Sequence, residues 1–147
     1  MTGKFAGRVL GWAGRFNLLP FYLRHQHRLG SLRRNKVEHK PEDCIFCKIS
    51  RGESPAEFLY QDDDIIVFRD IRPLAPVHLL IVPRKHIRSI NDLEDADHDV
   101  VARMVFLGRD FAKRMDTDQK GYNLLFNVEW GGGQRVFHLH LHLLGGR

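Results

Sequence analysis

Phe137-His138-Leu139-His140-Leu141-His142-Leu143-Leu144-Gly145-Gly146-Arg147 sets three histidines on a two-residue period with an apolar residue in every gap. Side chains alternate faces along a β-strand, so the pattern predicts a strand over 136–143. His138, His140 and His142 would share one face, and Leu139, Leu141 and Leu143 the other. The leucines would face a core, and the imidazoles a cleft or a surface. Strand Cα atoms two apart are separated by roughly 6.6 Å and those four apart by roughly 13 Å, so one ion can take two neighbours but not all three. Three readings compete for the row. It is an edge strand whose polar face is histidine, a zinc site made from H-x-H pairs, or a catalytic row. In a catalytic row one imidazole attacks while its neighbours fix its tautomer and bind anionic oxygens. A metal built only from these imidazoles leaves one of them unexplained, so the catalytic row is the expectation.

Immediately upstream lies Asn127-Val128-Glu129-Trp130-Gly131-Gly132-Gly133-Gln134-Arg135. Three consecutive glycines permit a tight turn that offers backbone N–H groups to an anion. Such a loop alone is as well explained by a flexible connection. With Gly133 backbone, Asn127 and Gln134 as donors beside a histidine row, it becomes a phosphate cradle.

Charge divides the chain. Residues 1–37 hold eight basic residues and no acidic one, whereas the remaining 15 basic residues face all 18 acidic ones and leave 38–147 at −3. The net +5 therefore belongs to the N-terminal segment, and the rest lacks the electrostatic footprint of a nucleic-acid-binding domain. We divide the chain into a basic N-terminal extension over 1–40, outside the fold, and one domain over 41–147. The extension reads in three ways: a mitochondrial transit peptide, a basic amphipathic segment on an anionic membrane, or an over-extension of the reading frame. The apolar run Leu18-Leu19-Pro20-Phe21-Tyr22-Leu23 falls far short of the roughly 20 residues of a membrane span. No transmembrane segment is expected. The setting is cytoplasmic, or mitochondrial if the transit reading holds. The two cysteines, Cys44 and Cys47, suit a metal half-site or a redox pair rather than a disulfide framework.

Along the domain, Asp43 can cap a short helix to about Arg51, stopped by Gly52. Residues 57–61 and 64–68 read as strands joined by Gln61-Asp62-Asp63, and 79–82 as a third strand stopped by Pro83. A helix from Asp92 or Asp95 to about Met115 presents Val100, Val101, Met104, Val105, Leu107, Phe111 and Met115 as its apolar stripe. Residues 122–127 and 136–143 complete an α+β fold: an antiparallel five-stranded meander sheet with one long helix and a short N-terminal helix.

Residues 127–147, together with Phe68-Arg69-Asp70-Ile71-Arg72-Pro73-Leu74-Ala75-Pro76-Val77-His78-Leu79-Leu80-Ile81-Val82-Pro83-Arg84-Lys85-His86-Ile87, resemble the histidine triad (HIT) superfamily, specifically its Hint branch of nucleoside phosphoramidases. The resemblance covers about residues 42–147. It implies a homodimer that binds purine nucleotides and cleaves a P–N bond to AMP through a nucleotidyl-histidine intermediate. His140 then stands as the nucleophile, with its second ring nitrogen donating to a main-chain carbonyl. His142 binds a phosphate oxygen, His78 supports the row, and His138 closes its far end. Asp70 anchors the ribose hydroxyls, and Ile45, Phe46, Ile49, Phe68 and Ile71 form the slot for the base. The resemblance also implies a structural Zn²⁺ held by Cys44, Cys47, His86 and His138, and no organic cofactor; a buried cysteine pair without an ion is the alternative.

Arg135 departs from the pattern, because Hint enzymes usually place there a serine that contacts the phosphate or the scissile nitrogen. Arginine can still pair with phosphate, yet it has no oxygen to relay a proton to a leaving amine. The sequence also ends at Arg147, where many Hint proteins continue with a tail that shapes the leaving-group side of the neighbouring site. The expected activity is hydrolysis of a P–N or P–O–P bond to release AMP. The alternatives are a dinucleoside polyphosphate hydrolase of the Fhit type, whose added phosphates suit Arg135, and a non-catalytic nucleotide-binding scaffold.

Overall fold

The computed structural model of the chain describes residues 40–146; the three readings of residues 1–37 fall outside them. Among the described residues, seven regular elements follow in order: α1 (Ile45–Ser50), β1 (Phe58–Gln61), β2 (Ile65–Arg69), β3 (Val77–Pro83), α2 (His98–Arg114), β4 (Tyr122–Leu125) and β5 (Leu141–Gly145). Three short 3-10 turns, Ile90–Asp92, Asp95–Asp97 and Trp130–Gly132, lie between them.

All pairings in the sheet are antiparallel, and its order is β1-β2-β3-β5-β4. The first three strands form the expected meander, but β5 inserts between β3 and β4. Burial explains the departure. Leu141 and Leu143 are 1% and 0% exposed and belong at a sheet centre, whereas every residue of β4 keeps solvent contact and suits an edge.

The sheet carries a core on each face. Ile65, Val67, Leu79, Ile81, Leu139, Leu141 and Leu143 pack with Met104, Phe111 and Ala112 of α2. The intervening Ile66, Phe68, Leu80 and Val82 pack with Cys44, Phe46, Cys47 and Ile49 from α1 and its start. Period-two alternation thus feeds two layers, and residues 65–68 of β2 and 79–82 of β3 read as unbroken apolar runs because neither face meets water. Fully burying each such aliphatic side chain contributes about 1.5–3 kcal/mol, so both layers are strongly driven.

Helix boundaries differ from the sequence expectation in instructive ways. Cys44, not Asp43, is the N-cap of α1, and no side chain caps it. The segment expected to start the long helix instead forms the two 3-10 turns at 90–92 and 95–97, so α2 begins at His98. Asp97 accepts from the Glu94 N–H at 3.0 Å and from Lys85 Nζ at 2.7 Å, which holds the chain in a tight turn there. On α2 the buried face is Met104, Gly108, Phe111 and Ala112, while Val105 is 43% exposed and leaves the predicted stripe. No helix among the described residues is long and apolar enough to cross a membrane.

Candidate active site

The histidine row is only partly a strand. β5 starts at Leu141, so His142 alone of the three lies in the sheet. The chain bends over 136–138 and reaches β5 outside the ladder, tied by the Leu139 N–H to the Ile87 carbonyl at 2.6 Å. The even positions still face α1, because Leu139, Leu141 and Leu143 remain committed to the α2 core. His142 pairs in register with Leu80 of β3, and His78 with Leu144 of β5. These two histidines are therefore diagonal neighbours on one face, their ring centroids 5.1 Å apart.

Hydrogen bonds assign each imidazole a tautomer. The Leu74 N–H donates to His78 Nδ1 at 3.1 Å, so His78 carries its proton on Nε2. That Nε2 lies 2.8 Å from His142 Nδ1 and 3.5 Å from an Asp70 carboxylate oxygen. His142 Nδ1 then accepts and its proton sits on Nε2, 3.2 Å from Asn127 Nδ2, so the pair is complete with the Asn127 amide turned over to present its oxygen as acceptor. His140 stands differently. Its Nδ1–H donates to the His138 carbonyl at 2.7 Å, which leaves the Nε2 lone pair available. Its ring, 6% exposed as a residue, packs edge-on between Phe46 and His142 at centroid distances of 5.2 and 4.8 Å.

Burial keeps these rings neutral. Loss of hydration pushes His142 down to about 4, with neighbouring His140 and His78 adding to the effect. It also holds His140 and His78 below the usual imidazole range. The site thus offers one unprotonated nitrogen and one fixed N–H donor at neutral pH.

His138 belongs to a second cluster. Its Nδ1 is 3.3 Å from Cys44 Sγ, 3.4 Å from Cys47 Sγ and 3.2 Å from His86 Nδ1, and His86 Nδ1 is 3.2 Å from Cys47 Sγ. All four ligand atoms lie within 4.8 Å of one another. A tetrahedral Zn²⁺ with its ordinary bond lengths separates sulfur and nitrogen ligands by roughly 3.4–3.6 Å, so this Cys₂His₂ set fits such an ion. The fit extends outward: His138 Nε2 donates to the Pro83 carbonyl at 2.7 Å, which turns the Nδ1 lone pair toward the thiols. Burial and the adjacent Cys44 push the Cys47 thiol up to about 12, so it ionises at neutral pH only with a cation beside it.

The expected base slot divides into floor and rim. Phe46, Ile49 and Phe68 are buried, with Phe46 and Phe68 rings 5.7 Å apart, whereas Ile45 is 42% and Ile71 90% exposed. Asp70 is fixed by the Arg72 N–H at 2.7 Å.

The loop before the row is more constrained than its glycines suggest. Gln134 is 1% exposed, and its whole amide is engaged: Oε1 accepts from the Glu129 N–H at 2.9 Å, and Nε2 donates to the carbonyls of Arg88 and Val136 at 2.8 and 3.1 Å. The side chain expected to bind phosphate is thus spent on shaping the loop. Gly133, with φ +85°, needs to be glycine. Glu129 is not glycine, yet holds φ +59° and ψ 175°, a region that costs other residues about 1–3 kcal/mol. Sequence reasoning missed Arg88 and Glu129, whose fork-to-fork ion pair spans 41 residues; no local pattern signals such a pair. Arg135 is exposed at the rim, its guanidinium 5.2 Å over the Trp130 ring.

With this geometry established, comparison with known proteins is decisive. Residues 43–147 match the family described as "Scavenger mRNA decapping enzyme C-term binding". A purine nucleoside phosphoramidase of Escherichia coli (strain K12) is 42% identical over 106 residues, 72% of this chain and 89% of that protein. The chain belongs to the histidine triad (HIT) family. Among HIT structures, a family hydrolase from Legionella pneumophila Philadelphia 1 superposes with a TM-score of 0.69 at 52% identity, covering 71% of this chain and 93% of that one. A zinc-bound HIT protein from Mycobacterium smegmatis gives 0.64 at 31% identity, covering 74% and 78%. The fold is the HIT α+β fold, and the relatives support hydrolase activity.

Proposed function

We propose that this HIT protein is a nucleoside phosphoramidase of the Hint branch that releases AMP from an adenosine 5′-phosphoramidate. The observation that carries the proposal is the His140 tautomer: with Nδ1–H bound to the His138 carbonyl, Nε2 is a neutral nucleophile in a dry setting. In the first step Nε2 attacks the α-phosphorus, the P–N bond breaks, and the amine leaves with a proton taken up from solvent, while the neutral His142 keeps its ring proton and serves as a hydrogen-bond donor. His142 Nε2–H, backed by His78 and Asp70, is the donor that the network offers to the phosphoryl group and leaving nitrogen. In the second step water attacks phosphorus and releases a proton to solvent, the P–N bond to His140 breaks, and AMP and free imidazole result. Asp70 would take the ribose hydroxyls, Asn127 and the Gly133 backbone the phosphate, and Phe46, Ile49 and Phe68 the base, with Ile45 and Ile71 at its edge.

Zn²⁺ on Cys44, Cys47, His86 and His138 would tie α1 to the histidine segment without entering the reaction. A homodimer in a cytoplasmic setting completes the reading; the open edge of β4 and the exposed Val105 and Phe106 of α2 are surfaces suited to a second copy.

Arg135 favours one second reading, hydrolysis of dinucleoside polyphosphates. Exposed on Trp130 and without a carboxylate partner among the described residues, its guanidinium suits contact with additional phosphates. Single-turnover incubation with an adenosine phosphoramidate and with a dinucleoside polyphosphate tests both. We expect AMP from the phosphoramidate, loss of at least about 1,000-fold in His140→Ala, and a preference shifted toward the phosphoramidate in Arg135→Ser. AMP from neither substrate, with His140→Ala unchanged, overturns the enzymatic reading and leaves nucleotide binding as the function.

A further inference from the structure

Arg88 closes a ring with Glu129 and Gln134, the two residues that flank the glycine loop. The Arg88 guanidinium donates two bonds to the Glu129 carboxylate, one of them 3.0 Å. The Glu129 N–H donates to Gln134 Oε1 at 2.9 Å, and Gln134 Nε2 returns to the Arg88 carbonyl at 2.8 Å. The Glu129 carbonyl accepts from the N–H groups of Gly132 and Gln134 at 3.1 and 3.0 Å, so nearly every polar group of Glu129 is committed. Arg88 is itself steadied, with Nε 3.2 Å from the Asp92 carboxylate and its guanidinium 5.2 Å over the Phe137 ring, against which Trp130 packs.

This ring holds Glu129 in a backbone conformation that favours glycine, two residues after Asn127, whose amide meets His142. Left to its own preference, residue 129 would swing to negative φ and redirect Gly131–Gln134. We infer that Arg88 and Glu129 form a charge clamp that sets the phosphate-facing loop in advance of substrate, which makes them positioning residues for the proposed phosphoryl transfer. A loop preset in this way costs no reorganisation when charge builds on the phosphoryl oxygens. The base and ribose contacts come from α1, β2 and Asp70, away from the clamp, so its loss falls on kcat more than on KM.

The inference rests on the proposed function for its kinetic arm only. The test compares two substitutions that remove the same carboxylate but differ in tolerance of positive φ. Glu129→Ala loses the clamp and keeps the strain, whereas Glu129→Gly loses the clamp and the strain together. We expect Glu129→Ala and Arg88→Ala to lower kcat about tenfold with KM within about threefold. Arg88→Ala/Glu129→Gly should recover most of that loss. Amide hydrogen exchange at Gly132 and Gln134 in the free protein should be faster in Glu129→Ala and Arg88→Ala and slower again in the double variant. Equal defects in Glu129→Ala and Glu129→Gly, or no recovery in the double variant by exchange, overturn the clamp. A wild-type protein that turns over no nucleotide, yet shows the exchange pattern, fails the function and leaves the clamp standing. Should Arg88→Ala not fold, the Glu129→Ala and Glu129→Gly pair decides alone.

Discussion

A single carbonyl separates the roles of the histidines. His138 turns its ring to the thiols and its backbone oxygen to His140, so one residue serves two clusters through different atoms. Because burial holds His140 below the usual imidazole range near 6.5, its Nε2 stays unprotonated on the acid side of that value. Protonation would remove the proposed nucleophile only as pH falls through the lowered value. The profile of kcat/KM should therefore fall toward acid with its midpoint below 6.5, and a midpoint at or above 6.5 would contradict the assignment. Much of this was legible in the sequence: His140, His142, His78 and Asp70 do meet on one face. What was not legible is which polar groups are consumed internally. Gln134 looks like a ligand by type and position, yet three hydrogen bonds claim it, and that depends on Arg88 and Val136 carbonyls whose direction no pattern encodes.

Among elements, β5 brings the α2 core and the catalytic face together, and its packing has little slack. A Cβ on Gly145 would meet Thr117 Cβ, Cγ2 and Oγ1 at 2.8–3.0 Å, and Thr117 is 2% exposed and pinned to the Ala112 carbonyl at 3.1 Å. Gly108 of α2 is equally tight, 2.7 Å from Leu124 Cδ2, but there the obstacle is the end of a flexible side chain. Gly145→Ala should cost about 1–3 kcal/mol by overpacking. Gly108→Ala, which also gains about 1 kcal/mol of helix propensity, should stay within about 1 kcal/mol of wild type. Chemical denaturation of the two variants checks the order, and the reverse order would refute this account. The element map shows the limits of periodicity too. Continuous apolar runs located β2 and β3, and alternation located the leucine face of β5. It overran at 136–140, where the chain bends over 136–138 before joining the ladder, and it could not tell that β5 slots inside β4.

At the scale of the molecule, the Cys₂His₂ cluster gathers α1, the segment after β3 and the approach to β5 at one point. A ligand that binds only the folded form at 1,000 times its dissociation constant adds about 4 kcal/mol. Chelation of protein purified with zinc should therefore lower Tm by at least about 10 °C, and Cys44→Ser/Cys47→Ser should melt at the same temperature with or without chelator. Zinc well below one ion per chain in the purified protein, with no effect of chelator, would remove the ion from the description.

The order β1-β2-β3-β5-β4 also has a consequence for birth on the ribosome. The first three strands can zip together as they emerge, but β4 has no neighbour until residues 141–145 have been made and threaded between it and β3. A nascent chain short of Gly145 therefore exposes an unfinished edge and lacks His142 in its ladder. On the proposed function, competence for chemistry would arrive all at once with β5, so a translation product stalled before it is expected to be inert rather than partly active.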